Sequence, residues 1–189
     1  MKFVQPIRDT EKISEIIEKL KARNKRDYMM FITGIYSGLR ITKMLELKVK
    51  DVKNSDYVTV SEQRKGKASK KPKLVRRILI NNALKREFKN YIQNMKDEDY
   101  LFKSRNGKNK PICRTQAYLI LKEVALECGL NNIGSHSMRK TFGYHTYERT
   151  KDLAALMRTF GHTEQSVTLR YIGRDQDEMD KIFRNLSYD

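Results

Sequence analysis

The sequence has no apolar run near the ~18 residues that a membrane-spanning helix needs. Residues 1–9 lack the apolar stretch of a secretory signal, so the protein is expected to stay in the cytoplasm of the cell that makes it. Cysteine is scarce. Cys113 and Cys128 form no C-x-x-C and have no histidine at ligand spacing, which speaks against a disulfide scaffold and a structural zinc site. Both thiols are expected to be reduced and at least half-buried. There is no Walker-type glycine loop and no clustered acidic pair to hold Mg²⁺. Acidic residues are themselves in deficit: 23 against 40 lysines and arginines, a net charge of +17.

What is present suits one globular domain. At 189 residues, 39% apolar and 33% charged, the chain is polar without having the composition of a disordered segment. A domain of this size buries roughly 70% of its unfolded surface and needs no metal or disulfide. The charge points to a polyanion, nucleic acid before an anionic membrane, because no basic amphipathic helix is evident. It is densest over residues 64–77, where eight of fourteen residues are basic and none is acidic. Charges so crowded repel one another unless phosphates neutralise them.

Periodicity predicts many helices around one small antiparallel sheet, an α+β fold. Ile13, Ile16, Ile17 and Leu20 mark one helix face, with Asp9 or Thr10 as its cap. Residues 28–36 read as a buried helix ending near Gly38, and 41–47 as a short one. Residues 57–62 and 76–80 alternate as strands, and the basic segment between them reads as a hairpin loop. Leu84, Phe88, Tyr91, Ile92 and Met95 stripe a further helix. Ala117, Ile120, Leu121, Val124 and Ala125 stripe another, capped by Thr115 and closed by Gly129. From Ser137 the pattern is helical, broken near Lys151 and Gly161. The last helix is 176–186, with Met179, Ile182, Phe183 and Leu186 as its apolar face. That helix either folds back on its own core or meets another protein.

Three short elements carry chemistry. Arg40 follows Gly38 and Leu39 at a junction between helices. His136 and Arg139 stand at i, i+3, on one helix face. Gly161-His162 is followed, nine residues after the histidine, by Tyr171. Each alone has an ordinary explanation as a surface cation, a capping residue or a rim tyrosine. Together they suggest a reaction. Two arginines can grip the non-bridging oxygens of a phosphodiester, histidines can donate to it or move a proton, and a tyrosine can attack phosphorus. A free phenol is only about one-thousandth ionised at pH 7 and needs a base or a cationic site.

The order Arg, hairpin Lys, His-x-x-Arg, Gly-His, Tyr, at these intervals and over nearly the whole chain, resembles the catalytic domain of the tyrosine recombinases, the phage integrase family. The resemblance implies a site-specific DNA recombinase working in a bacterial or phage-infected cell. It would cleave and rejoin double-stranded DNA through a 3′-phosphotyrosyl bond, with no cofactor and no metal. It implies Arg40 and Arg139 as the catalytic arginines, His136 as proton acceptor, His162 as a phosphate ligand and Tyr171 as nucleophile. A hairpin lysine would be the general acid for the 5′-oxygen. Lys65, Lys67 and Lys70 all qualify, and Lys65 is preferred because it precedes Gly66. Arg64, Lys67, Lys70, Lys71 and Lys73 would track the DNA backbone or minor groove. The family usually has an acidic residue where this chain has Lys43, a cation that either weakens the positioning of Arg40 or itself contacts phosphate in the DNA.

Typical members also carry a helical core-binding domain of about a hundred residues before the catalytic one. Here the first motif begins at Gly38, so residues 1–189 read as a single catalytic domain without it. DNA affinity is then expected to be modest and steeply salt-dependent. The protein is expected to be a monomer in free solution and a homo-tetramer on DNA, with residues 174–189 exchanged between protomers. Two other readings stay open: a type IB-like topoisomerase, and a non-catalytic DNA-binding accessory protein on the same fold.

Overall fold

The computed structural model describes residues 4–62 and 74–186. Arg64, Lys65, Lys67, Lys70, Lys71 and Lys73 lie outside the described residues. Helix α1 (Thr10–Arg23) starts where the Asp9 carboxylate accepts from the Glu11 amide, and buries Ile16 and Leu20. Helix α2 (Lys25–Ser37) is capped by Asn24, whose side chain accepts from the amides of Arg26 and Asp27. Met29, Met30, Phe31 and Ile32 are consecutive and all at most 2% exposed, so α2 is the central helix of the domain. An amphipathic helix leaves one side to water; one apolar on all sides must be surrounded. Helices α1, α4 (Asn82–Tyr91) and α6 (Ser137–Thr150) pack around it.

Gly38 ends α2 in the left-handed region, φ 61°. A Cβ there would stand 2.4 Å from the Phe142 ring. That combination of backbone and space admits only glycine, and it aims the next residues at α6. Helix α3 (Ile41–Leu45) follows directly, with Arg40 at its N-cap. Strands β1 (Tyr57–Glu62) and β2 (Leu74–Leu79) pair antiparallel, from Tyr57 opposite Leu79 to Glu62 opposite Leu74. Val58 and Val60 face the core.

Helix α5 (Arg114–Glu127) is capped not by Thr115 but by the Cys113 sulfur, which accepts from the Gln116 amide. Cys113 is accordingly exposed, contrary to expectation, whereas Cys128 is buried. Helix α4 stops at Tyr91. Ile92 and Met95 still pack on the core, but from the turn after it. Helices α7 (Leu153–Phe160) and α8 (Gln165–Ile172) form a second, small core of Leu156, Phe160 and Ile172. Helix α9 (Arg174–Arg184) begins immediately after Gly173, two residues earlier than the sequence pattern suggests.

Helix α9 buries none of its residues, and Met179, Ile182, Phe183 and Leu186 are 45–64% exposed. It does not fold its apolar face back on its own core. It is held at its base, where Arg8 pairs with Asp177 at 2.8 Å and donates to the Gly173 carbonyl. No helix among the described residues is long and apolar enough to cross a membrane.

Candidate active site

The end of α7 organises the site. A helix leaves its last carbonyls without intrahelical partners and carries partial negative charge there. Arg40 Nη2 and Arg139 Nη2 each lie 3.4 Å from the carbonyl oxygen of Phe160, the last residue of α7. Arg139 also donates to the Gly38 carbonyl, and its guanidinium lies 4.5 Å from the centre of the Phe160 ring. It is 6% exposed, so its direction is set by packing as well as by hydrogen bonds. Arg40 is half-buried at the N-cap of α3. The chain turns of Gly38 and Gly161 thus bring together two arginines that the sequence keeps far apart.

His162 and Tyr171 stand beside them. Their ring centres are 5.4 Å apart in an edge-to-face arrangement, and the Phe160 ring contacts both. His162 Nδ1 is 3.0 Å from Thr168 Oγ1, and Thr168 is fully buried on α8. The Thr168 hydroxyl also reaches the Glu164 carbonyl at 3.3 Å. The hydroxyl can donate to Nδ1 or to the Glu164 carbonyl, and in either case it anchors the ring at Nδ1. Burial lowers the His162 pKa, and Arg139, Arg40 and Arg76 lower it further. His136, at the N-cap of α6, is lowered the same way, by burial first and then by Arg114, Lys140, Arg139 and Arg40. Both imidazoles are therefore held neutral near pH 7.

Tyr171 is pulled in two directions. Burial raises its pKa, and Arg139 and Arg40 lower it, with burial ahead. The phenol therefore rests protonated near pH 7. Lys140 is 6% exposed; its ammonium lies 5.3 Å from the Tyr171 ring centre and donates to the Val4 carbonyl at 2.7 Å. Among the described residues no three His, Cys, Asp or Glu side chains stand where they could share a metal ion.

Of the residues singled out in the sequence, Arg40, Arg139, His162 and Tyr171 meet directly around Phe160. His136 is placed within electrostatic reach of both arginines. Lys43 lies on α3 and pairs with Glu46 at 2.7 Å. Three residues escaped sequence reasoning: Thr168, Lys140 and Arg76. Thr168 had a signal, since it stands at i, i+3 with Tyr171 on one helix face.

The sequence profile of the phage integrase family matches residues 8–178. The chain belongs to the phage integrase family. It is 51% identical over 177 residues to the probable integrase/recombinase YoeC of Bacillus subtilis strain 168, covering 94% of this chain and 93% of that one. It is 30% identical over 164 residues to the tyrosine recombinase XerA of Pyrococcus furiosus, covering 85% of this chain but 54% of XerA. The chain thus spans about half the length of that longer relative. Among solved structures, a XerA recombinase crystal structure superposes with a TM-score of 0.71 at 18% identity, over 98% of this chain and 67% of the other. A Tn1549 transposon integrase in complex with transposon right end DNA gives 0.69 at 20% identity, over 92% and 65%. The mostly helical fold with its two-stranded sheet is that of the tyrosine recombinase catalytic domain. Membership in this integrase family makes the chain an enzyme of the site-specific recombinase type, and neither the topoisomerase nor the accessory-protein reading is favoured.

Proposed function

We propose that this chain breaks and rejoins double-stranded DNA by way of a 3′-phosphotyrosyl intermediate on Tyr171. The observation that carries the proposal is the convergence of Arg40 and Arg139 on the Phe160 carbonyl, with His162 and Tyr171 in ring contact with Phe160. The carbonyl marks where guanidinium donors already point, and a phosphodiester oxygen carries more charge than a carbonyl. Tyr171 Oη attacks phosphorus and gives its proton to His136, while the bond to the 5′-oxygen breaks. A hairpin lysine, Lys65 by preference, supplies the proton to that oxygen. Arg40, Arg139 and His162 hold the non-bridging oxygens of the pentavalent transition state, whose added charge they stabilise more than the ground state. The 5′-hydroxyl of a second strand then reverses the step, conserving bond energy.

The DNA-bound state of the Tn1549 neighbour supports DNA as the partner. We assign Arg64, Lys67, Lys70, Lys71, Lys73 and Lys43 to the DNA backbone. The unburied apolar face of α9 supports assembly of a homo-tetramer on DNA through that helix, from a monomer in solution. The reaction as written needs no cofactor.

Covalent trapping tests the proposal. The protein is incubated with labelled duplex from the region flanking its own gene, nicked to trap intermediates, then denatured in SDS. Wild type forms a protein–DNA adduct and Tyr171→Phe forms none while still binding DNA. An adduct that persists in Tyr171→Phe moves the nucleophile elsewhere. Sequence-independent relaxation of a supercoiled plasmid, without strand exchange, shifts the reading to a topoisomerase.

A further inference from the structure

Strand β2 breaks its own pattern at Arg76. On a half-buried strand, alternate residues face the core. Ile78 packs against the core on the inward face, and Val60, which pairs with Arg76, is 5% exposed. Val75 and Leu79, on the outward face, are 61% and 60% exposed. Arg76 therefore occupies a place where the alternation asks for an apolar side chain. Its neighbour Arg77 points the other way, its guanidinium 4.2 Å from the Tyr57 ring centre.

Arg76 reaches from β2 to the end of α7. Its Nη1 donates to the Thr159 carbonyl. Its Nη2 lies 2.5 Å from where a Cβ on Gly161 would stand, so the guanidinium is laid against the backbone of the turn that carries His162. The Thr159 carbonyl immediately precedes the Phe160 carbonyl that takes Arg40 and Arg139. Three guanidiniums, from β2, the start of α3, and α6, are gathered on two successive carbonyls. Each of the three acts on His162. A guanidinium brought to the same helix end as two others adds positive charge at the point where the phosphodiester is proposed to sit.

We propose that Arg76 is a third phosphate-contacting arginine of the site, donating to a non-bridging oxygen of the scissile phosphodiester beside Arg40 and Arg139. The planar fork of a guanidinium, with five N–H donors, matches the geometry of phosphate oxygens. The inference rests on the phosphotyrosyl reading above and adds a residue to it.

The test uses the full chain, single-turnover cleavage at saturating protein, and two substrates: ordinary DNA, and DNA with a methylphosphonate at the scissile position. The methylphosphonate replaces one charged oxygen with a neutral methyl group. Arg76→Gln is expected to slow cleavage of ordinary DNA about 100-fold or more, the scale of one lost transition-state donor. On methylphosphonate the ratio of wild type to variant is expected to fall towards one, because the charge that Arg76 neutralises is gone. Arg77→Gln removes the same charge from the opposite face and is expected to leave the saturated rate within about twofold. Arg76→Met also removes the charge while keeping an apolar stem of similar reach, and carries the same comparison if Arg76→Gln fails to fold. Wild-type cleavage by Arg76→Gln, or a defect undiminished on methylphosphonate, overturns the assignment. Arg139→Ala runs in parallel. If its defect shrinks on methylphosphonate and that of Arg76→Gln does not, this inference alone fails. If neither shrinks and the Tyr171→Phe adduct persists, the phosphotyrosyl reading fails with it.

Discussion

Arg40 and Arg139 share one acceptor, the Phe160 carbonyl, which lies 3.4 Å from a terminal nitrogen of each. The two side chains are thus set to one point before any substrate arrives, and little reorganisation remains for the reaction itself. Arg40→Ala is expected to reduce single-turnover cleavage by roughly 10³ or more, with DNA binding partly retained. Arg139→Ala is expected to do the same and to lower unfolding free energy by about 1–3 kcal/mol, because its removal leaves buried carbonyls without their charged donor. Cleavage assays and urea titration check both. Near-normal cleavage by either variant would sink the assignment.

Acid should weaken the fold through the two histidines of the site. His136 and His162 are both held below the ordinary histidine value, chiefly by burial and then by surrounding cations. A depressed histidine is neutral in the folded state while the unfolded chain takes up a proton. Stability is therefore full above the unfolded value of about 6.5 and falls as pH drops through the folded values. A series of denaturant titrations between pH 8 and pH 5 should show this loss, and His162→Asn should flatten the profile. An equally steep profile in the variant would contradict the account.

Thr168→Val keeps the shape of the side chain and removes the partner of His162 Nδ1. A single buried hydrogen bond contributes about 0.5–1.5 kcal/mol, so cleavage should fall by roughly tenfold at most. Thr168→Ser should restore it. A defect that serine does not repair would place the role of Thr168 in packing alone.

Truncation after Gly173 removes α9 and leaves Ile172, which is fully buried, in place. The shortened protein is expected to form the Tyr171 adduct on nicked DNA but not to complete reciprocal strand exchange. Unchanged recombination by this variant would count against a role for α9 between protomers.

Much of this fold is legible in the chain because its helices announce themselves locally. The stripe of Ile13, Ile16, Ile17 and Leu20 and the unbroken run from Met29 to Ile32 both reach the core as their spacing suggests. Element boundaries are less legible. Cys113 takes the capping role that Thr115 could fill, since a cap depends on which side chain the turn aims at the free amides. Helix α9 starts early because Gly173, at φ 85°, ends α8 and opens α9 without a linker. The site divides in the same way. Arg40, Arg139, His162 and Tyr171 sit in motifs whose spacing betrays them. Arg76 does not, because within a tract of eight basic residues nothing marks which one turns inward. Only the pairing with Val60 and the reach to Thr159 single it out.

The acceptors at the end of α7 lie later in the chain than every arginine they hold: Arg40, Arg76 and Arg139 all precede Thr159 and Phe160. Contacts across such separations form late in folding, after the local helices. During synthesis the cationic arms are therefore made first, then the helix end that gathers them, and last the tyrosine proposed as nucleophile. A nascent chain can attract DNA well before it can cut it, and the power to break a strand appears only once the whole cluster has closed.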